Sequence, residues 1–121
     1  MNLELTILSN LVYNEKYARK VLPFLKAEYF TDKSYKIIFL EIHEYVSQYD
    51  ALPSLNALSI ECQERVDLSD EQFQNILEIL NELSNDTADY DWIVDTTEKW
   101  CQERAIYLSL MESVKLSLIH I

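Results

Sequence analysis

Residues 28–65 read EYFTDKSYKIIFLEIHEYVSQYDALPSLNALSIECQER, and this stretch decides the fold. After Asp32, the apolar residues Tyr35, Ile38, Phe39, Ile42, Val46 and Tyr49 recur at spacings of three and four. That period puts them on one face of an α-helix, with Lys36, Glu41, Glu44 and Gln48 directed elsewhere. Asp32 is placed to cap the helix, because its carboxylate accepts from backbone N–H groups that have no partner inside the helix. Asp50-Ala51-Leu52-Pro53 ends it, since the residue before a proline is pushed out of the helical region. Ser54 stands at the next N-cap position, and Leu55, Leu58 and Cys62 supply the stripe of the helix that follows. The stretch is a helix–turn–helix hairpin with one buried side, led in by Tyr29 and Phe30.

The same reading extends in both directions. Asn2 caps a first helix carrying Leu3, Ile7, Leu8 and Leu11 on one side. Asn14 opens a second, with Tyr17, Ala18, Val21 and Leu22 as its stripe and Pro23 at its end. Its outer side bears Lys16, Arg19 and Lys20, a basic cluster and a candidate partner contact. Downstream, Ser69-Asp70-Glu71-Gln72 fits a capping box, with Ser69 and Gln72 each bonding the other's backbone N–H. The helix it opens carries Phe73, Ile76, Leu77, Leu80 and Leu83. Asn85 to Asp89 is a short polar connector.

From Asp91 to Ile121 there is neither glycine nor proline, so one long helix of roughly 45 Å is expected. Its second half places Trp100, Arg104, Tyr107, Met111, Val114, Leu118 and Ile121 at alternating three- and four-residue steps. Two helices bury a heptad seam of this kind between them. Trp100, Tyr107, Met111, Val114 and Leu118 are therefore candidates for self-association, and Leu108, Leu110, Leu116 and Ile119 widen the apolar surface. The sequence runs out inside the seam at Ser-Leu-Ile-His-Ile, which reads as a chain cut short.

A chain of 121 residues is expected to form one domain: a globular bundle over residues 1–90 and the long helix over 91–121. It contains no glycine. Phosphate-cradling loops need glycine for close backbone approach, so neither G-x-x-x-x-G-K-[ST] nor G-x-G-x-x-G can be written. Tight hairpin turns also lean on glycine, which argues against strands. The expected class is all-α, a compact bundle of about six helices with a long C-terminal helix.

Net charge is −11, concentrated in one region. Between Glu61 and Glu98 stand twelve acidic residues and one cation, Arg65. Such a surface repels phosphate, so tight nucleic-acid binding by this domain alone is not expected. It reads either as a solvated face or as a docking surface for a basic partner. Cys62 and Cys101 lack a CxxC context and are expected as small buried hydrophobes in a reducing cytoplasm. No stretch approaches eighteen continuous apolar residues, so no membrane span is expected.

Catalytic patterns are sparse. His43 falls on the polar side of its helix, and His120 lies next to the end; neither has the spacing of a zinc site. Glu41 with Glu44, or Asp91 with Asp95, could share a helix face, but acid–base work needs a cleft to perturb their pKa values. No catalytic residue, cofactor or metal is expected in this chain, and it is not read as an enzyme.

The order of these segments resembles the N-terminal domain of DnaB-like replicative DNA helicases, in particular the T-even phage branch. The resemblance spans nearly the whole chain. It is carried by Ile7 to Val12, Tyr17, Val21-Leu22-Pro23-Phe24, Glu28-Tyr29-Phe30, Ile38-Phe39, Ile42 and Leu52 to Leu58. Trp92-Ile93-Val94, Thr97-Glu98-Lys99 and Gln102-Glu103-Arg104-Ala105 complete it. What it implies is a six-helix bundle whose last helices pair subunits into a collar on a hexameric ring and help recruit primase and a helicase loader. ATP and Mg would belong to a separate RecA-like motor moving 5′→3′ on DNA, beyond this fragment. The implied setting is the cytoplasm of an infected bacterium. A rival of another class is a free-standing acidic adaptor or inhibitor that covers a basic protein surface. Binding of that kind weakens steeply with salt, whereas seam-driven assembly does not.

Overall fold

The computed structural model describes residues 2–86 and 88–119, the last three by their backbone alone. Among the described residues there are six α-helices: α1 (Leu3–Tyr13), α2 (Glu15–Val21), α3 (Lys33–Tyr49), α4 (Leu55–Gln63), α5 (Asp70–Glu82) and α6 (Tyr90–Ile119). A single 3₁₀ turn, Ala27–Tyr29, sits between α2 and α3, and the described residues include no strand. The all-α expectation is met. No helix is long and apolar enough to cross a membrane among these residues.

Each expected N-cap is made. The side chains of Asn2, Asn14, Asp32, Ser54 and Ser69 accept from the backbone N–H of Leu5, Tyr17, Ser34, Ala57 and Gln72, respectively. The capping box at Ser69 is reciprocal, with the Gln72 side chain accepting from the Ser69 N–H at 3.1 Å. The end of α3 uses a residue other than glycine where glycine is the usual choice: Asp50 takes a left-handed conformation, φ 52° and ψ 37°. Its N–H reaches Val46 O at 2.8 Å, and Arg19 donates to both its carboxylate and its carbonyl at 2.9 Å.

The second hairpin helix, α4, and its partner α5 pack on one side of α3, while α1 and the 27–29 turn also pack against α3. Because α3 is covered from several directions, its buried arc is wider than a single stripe. Ile37 and Glu41 are buried beside Ile38, Phe39 and Ile42. Glu41 thus departs from the expectation of an outward-facing residue, and Tyr49, expected on the apolar face, is exposed beyond the end of the covered region. Glu41 is accommodated by Arg65, whose Nη1 donates to its Oε1 at 2.8 Å. Arg65 also holds Asp67 through two bonds of 3.2 Å, which tethers the α4–α5 connection to α3.

The aromatic lead-in fills the centre. Phe30 is fully buried, 5.3 Å from the Phe39 ring and 5.1 Å from the Trp100 ring, and Tyr29 meets Trp100 edge-on at 6.2 Å. These packings bring the first half of α6 into the core, where Ile93, Val94, Thr97, Trp100 and Cys101 are all buried. The packed core therefore continues into α6. It takes in α6 as far as about residue 105, because Trp100 has aromatic partners upstream. Thr87, within the connector, His120 and Ile121 lie outside the described residues.

Candidate interaction surface on the last helix

α6 has thirty residues, about 45 Å at the ordinary helical rise, and only its first part has a bundle to lie on. α2 and the 27–29 turn pack against it. Tyr17 of α2 and Thr97 of α6 share a hydrogen bond of 2.7 Å between buried hydroxyls. Burial pushes the Tyr17 phenol well above its ordinary range, so the pair stays neutral.

Arg104 marks where the covered half ends. Its Nε donates to Tyr29 O at 2.6 Å, and its guanidinium lies 5.0 Å from the Tyr107 ring centroid. Beyond it the apolar residues face solvent: Ile106 is 61% exposed, Tyr107 50%, Leu110 60%, Met111 49% and Val114 53%. At 100° per residue these five span roughly 140° of the helix circumference. An exposed apolar patch of this kind marks an interaction site more often than a scattered hydrophobe does. Total accessible surface is 7626 Å², against about 6,800 Å² expected for a compact monomer of 14.3 kDa. A helix that overhangs its bundle accounts for an excess of that sign.

The overhang and the turn before α3 frame an open groove of about 850 Å³, lined on one wall by Lys26, Glu28 and Tyr29 and on the other by Leu108, Met111 and Val114. It is shallow and mixed in polarity, the form of a surface for another protein segment rather than an enclosed small-molecule site.

Of the residues expected in the seam, Tyr107, Met111 and Val114 lie together on the exposed half. Trp100 does not join them. It is 9% exposed and packed among Tyr29 and Phe30, so it belongs to the core of its own chain. The heptad pattern runs unbroken through both halves because the residues that face the bundle and those that face outward follow one helical stripe. The side chain of Leu118 lies outside the described residues.

The basic cluster on α2 is partly spent within the chain. Arg19 pairs with Glu15 at 3.0 Å and Asp50 at 2.9 Å, which raises its pKa, Asp50 having the larger effect. Lys16 Nζ lies 4.1 Å from the Tyr90 ring centroid. Lys20 makes no ion pair or ring contact among the described residues. Neither cysteine offers a thiolate: burial pushes Cys62 up to about 12, with Glu41 adding to it, and Cys101 up to about 11. His43 is exposed and lies against Phe39 at 5.9 Å. Among the described residues no group of three or more His, Cys, Asp or Glu is placed to hold a metal ion.

Sequence reasoning missed the Glu41–Arg65–Asp67 network. The signal was present: Arg65 is the one cation in the acidic stretch, and a lone cation there has reason to be paired.

This chain is similar to a DnaB-like replicative helicase. The relative is from Enterobacteria phage T4 and is 29% identical over 110 residues, which is 91% of this chain. The chain spans 23% of that helicase's length. No family model matches it.

Proposed function

We propose that this chain is the N-terminal oligomerisation and partner-docking domain of a phage-type replicative DNA helicase, acting in DNA replication. The observation that carries the reading is the match itself, which covers 91% of this chain and 23% of the helicase. A relation of that shape fits one module of a larger machine. The exposed apolar half of α6 supports self-association as the module's task, and the resemblance adds primase and a helicase loader as partners. ATP, Mg and 5′→3′ movement on DNA would reside in a motor domain of the parent protein, and this module would carry no catalysis of its own.

The test is the assembly state of the purified chain. Truncating a buried aromatic at the centre of an interface typically costs about 2 kcal/mol or more. Tyr107→Ala with Met111→Ala should leave a monomer in sedimentation velocity, with helical circular dichroism and melting temperature of the dilute protein unchanged, since both side chains are about half exposed within the chain. Unaltered assembly in the double variant would remove the self-association reading.

A further inference from the structure

We propose that the cleft between α3 and α4 is a docking site for one arginine side chain, carried on a basic segment of a partner protein. No residue of α6 lines the cleft, so the site goes beyond self-association and does not depend on it.

The cleft follows from spacing along one helix. Glu41, Glu44, Tyr45, Gln48 and Tyr49 stand at steps that keep them within about 140° of the α3 circumference. Glu61 of α4 completes the lining, exposed at the rim while its neighbours Leu58 and Cys62 are buried. The space they enclose is about 30 Å³, room for the head of one side chain and too little for a nucleotide or a metabolite.

Charge and shape then select what enters. Three carboxylates line this small space, and Arg65 is the one cation bonded to any of them among the described residues. Its bonds are already made, one to Glu41 and two to Asp67, so the cleft keeps an excess of negative charge. The nearby Cys62 thiol feels that excess: burial raises its pKa most, and Glu41 and Glu61 raise it further against Arg65. Glu41 is 7% exposed, yet only its Oε1 is used, by Arg65 at 2.8 Å. Its Oε2 accepts from no donor among the described residues, which leaves a buried carboxylate oxygen for a donor from outside.

Two aromatic rings complete the site. Tyr45 and Tyr49 lie 4.7 Å apart at a tilt of 48°, and Tyr49 is 56% exposed. A cation resting on a tyrosine face is attracted by the ring's negative quadrupole. Among the described residues the carboxylates are not grouped tightly enough to hold a metal ion, whereas a broad, delocalised cation suits their spread. Guanidinium is such a cation. Its plane lies on a ring while its N–H edges still reach carboxylates, which the compact ammonium of lysine does less well.

The probe is a blocked pentapeptide, Ala-Ala-Arg-Ala-Ala, titrated into the whole chain and followed by nitrogen-15 NMR. Its amide shifts should be confined to the segments around residues 41–49 and 58–64, with a dissociation constant on the order of 10 mM, the scale of a single exposed charged contact. The same peptide with neutral citrulline in place of arginine should give little response. E44Q, E61Q and Y49A alter exposed side chains, so the fold is kept, and each should weaken binding about threefold. E71Q/E82Q removes as much charge from exposed positions on α5 as E44Q/E61Q removes at the cleft, and should leave binding unchanged.

Shifts spread along residues 61–98, weakened as much by E71Q/E82Q as by E44Q/E61Q, would reduce the site to a diffuse acidic surface and overturn the proposal. An equal response to the citrulline peptide, or no shift at several times the expected dissociation constant, also overturns it. None of these outcomes bears on the assembly state, which sedimentation velocity reads separately.

Discussion

Glu41 and Arg65 carry the clearest lesson at the scale of single residues. Glu41 is 7% exposed, and removing Arg65 would leave its carboxylate in the packed interior without its cation. Breaking one side of a buried pair costs more than the pair contributes, and Arg65 is partly solvated, so Arg65→Ala is expected to lower stability by about 1–3 kcal/mol in urea denaturation. Replacing both partners by Glu41→Leu and Arg65→Met should cost less than Arg65→Ala alone, because no uncompensated charge is left. Periodicity placed Glu41 outside since a charged residue off the main stripe is normally solvated. It had no means of showing that α4 and α5 would cover that side of α3. The thiols give a second residue-scale expectation. Below the unfolded thiol pKa, near 9, Cys62 is neutral in both states and costs nothing. Between there and about 12 the unfolded chain ionises while the folded one does not, so stability falls as pH rises through that window. Melting temperature should drop above pH 9, less so for Cys62→Ala measured against its own neutral-pH value.

At the scale of elements, the helix starts were legible because capping is local chemistry. Asn2, Asn14, Asp32, Ser54 and Ser69 each needed only an oxygen and an N–H two or three residues on, and each finds one. The 27–29 turn was not legible, since three residues are too few to show a period, although Tyr29 and Phe30 drew notice by their bulk. The end of α3 was read at Asp50-Ala51-Leu52-Pro53 and falls there, although the proline did not show that Asp50 closes it in a left-handed conformation that favours glycine. Asp50→Ala keeps the steric penalty and loses the carboxylate that Arg19 grips, so a lower melting temperature is expected in thermal denaturation. Asp50→Gly loses the same ion pair but relieves the backbone, and should fall closer to the unaltered chain. The two halves of α6 differ in the same way. Amides from about residue 93 to 104, over a packed core, should exchange slowly, while those from 107 to 116 should exchange faster in dilute solution and slow down as concentration rises.

For the whole molecule, the sequence showed one continuous seam where the structure has two surfaces, one packed into the core and one exposed to solvent. The pattern Trp100, Arg104, Tyr107, Met111, Val114 is unbroken, because a helix that leaves its bundle keeps its period. Only the position of Tyr29 and Phe30 decides that Trp100 falls inside and Tyr107 outside. That difference can be measured with two substitutions seven residues apart. Trp100→Ala empties a site packed against two aromatic rings and should cost about 3–5 kcal/mol of folding stability at any protein concentration. Tyr107→Ala removes a half-exposed ring, so the monomer's stability should change by well under 1 kcal/mol apart from the lost contact with Arg104. Its effect should appear instead as weaker self-association. That association, being apolar at its centre, should persist at 0.5 M salt, where a reading based on the acidic face and a basic partner predicts steep loss. If Tyr107→Ala proved as destabilising as Trp100→Ala in dilute solution, the second half of α6 would belong to the folding core. The excess surface it exposes would then need another explanation than a partner.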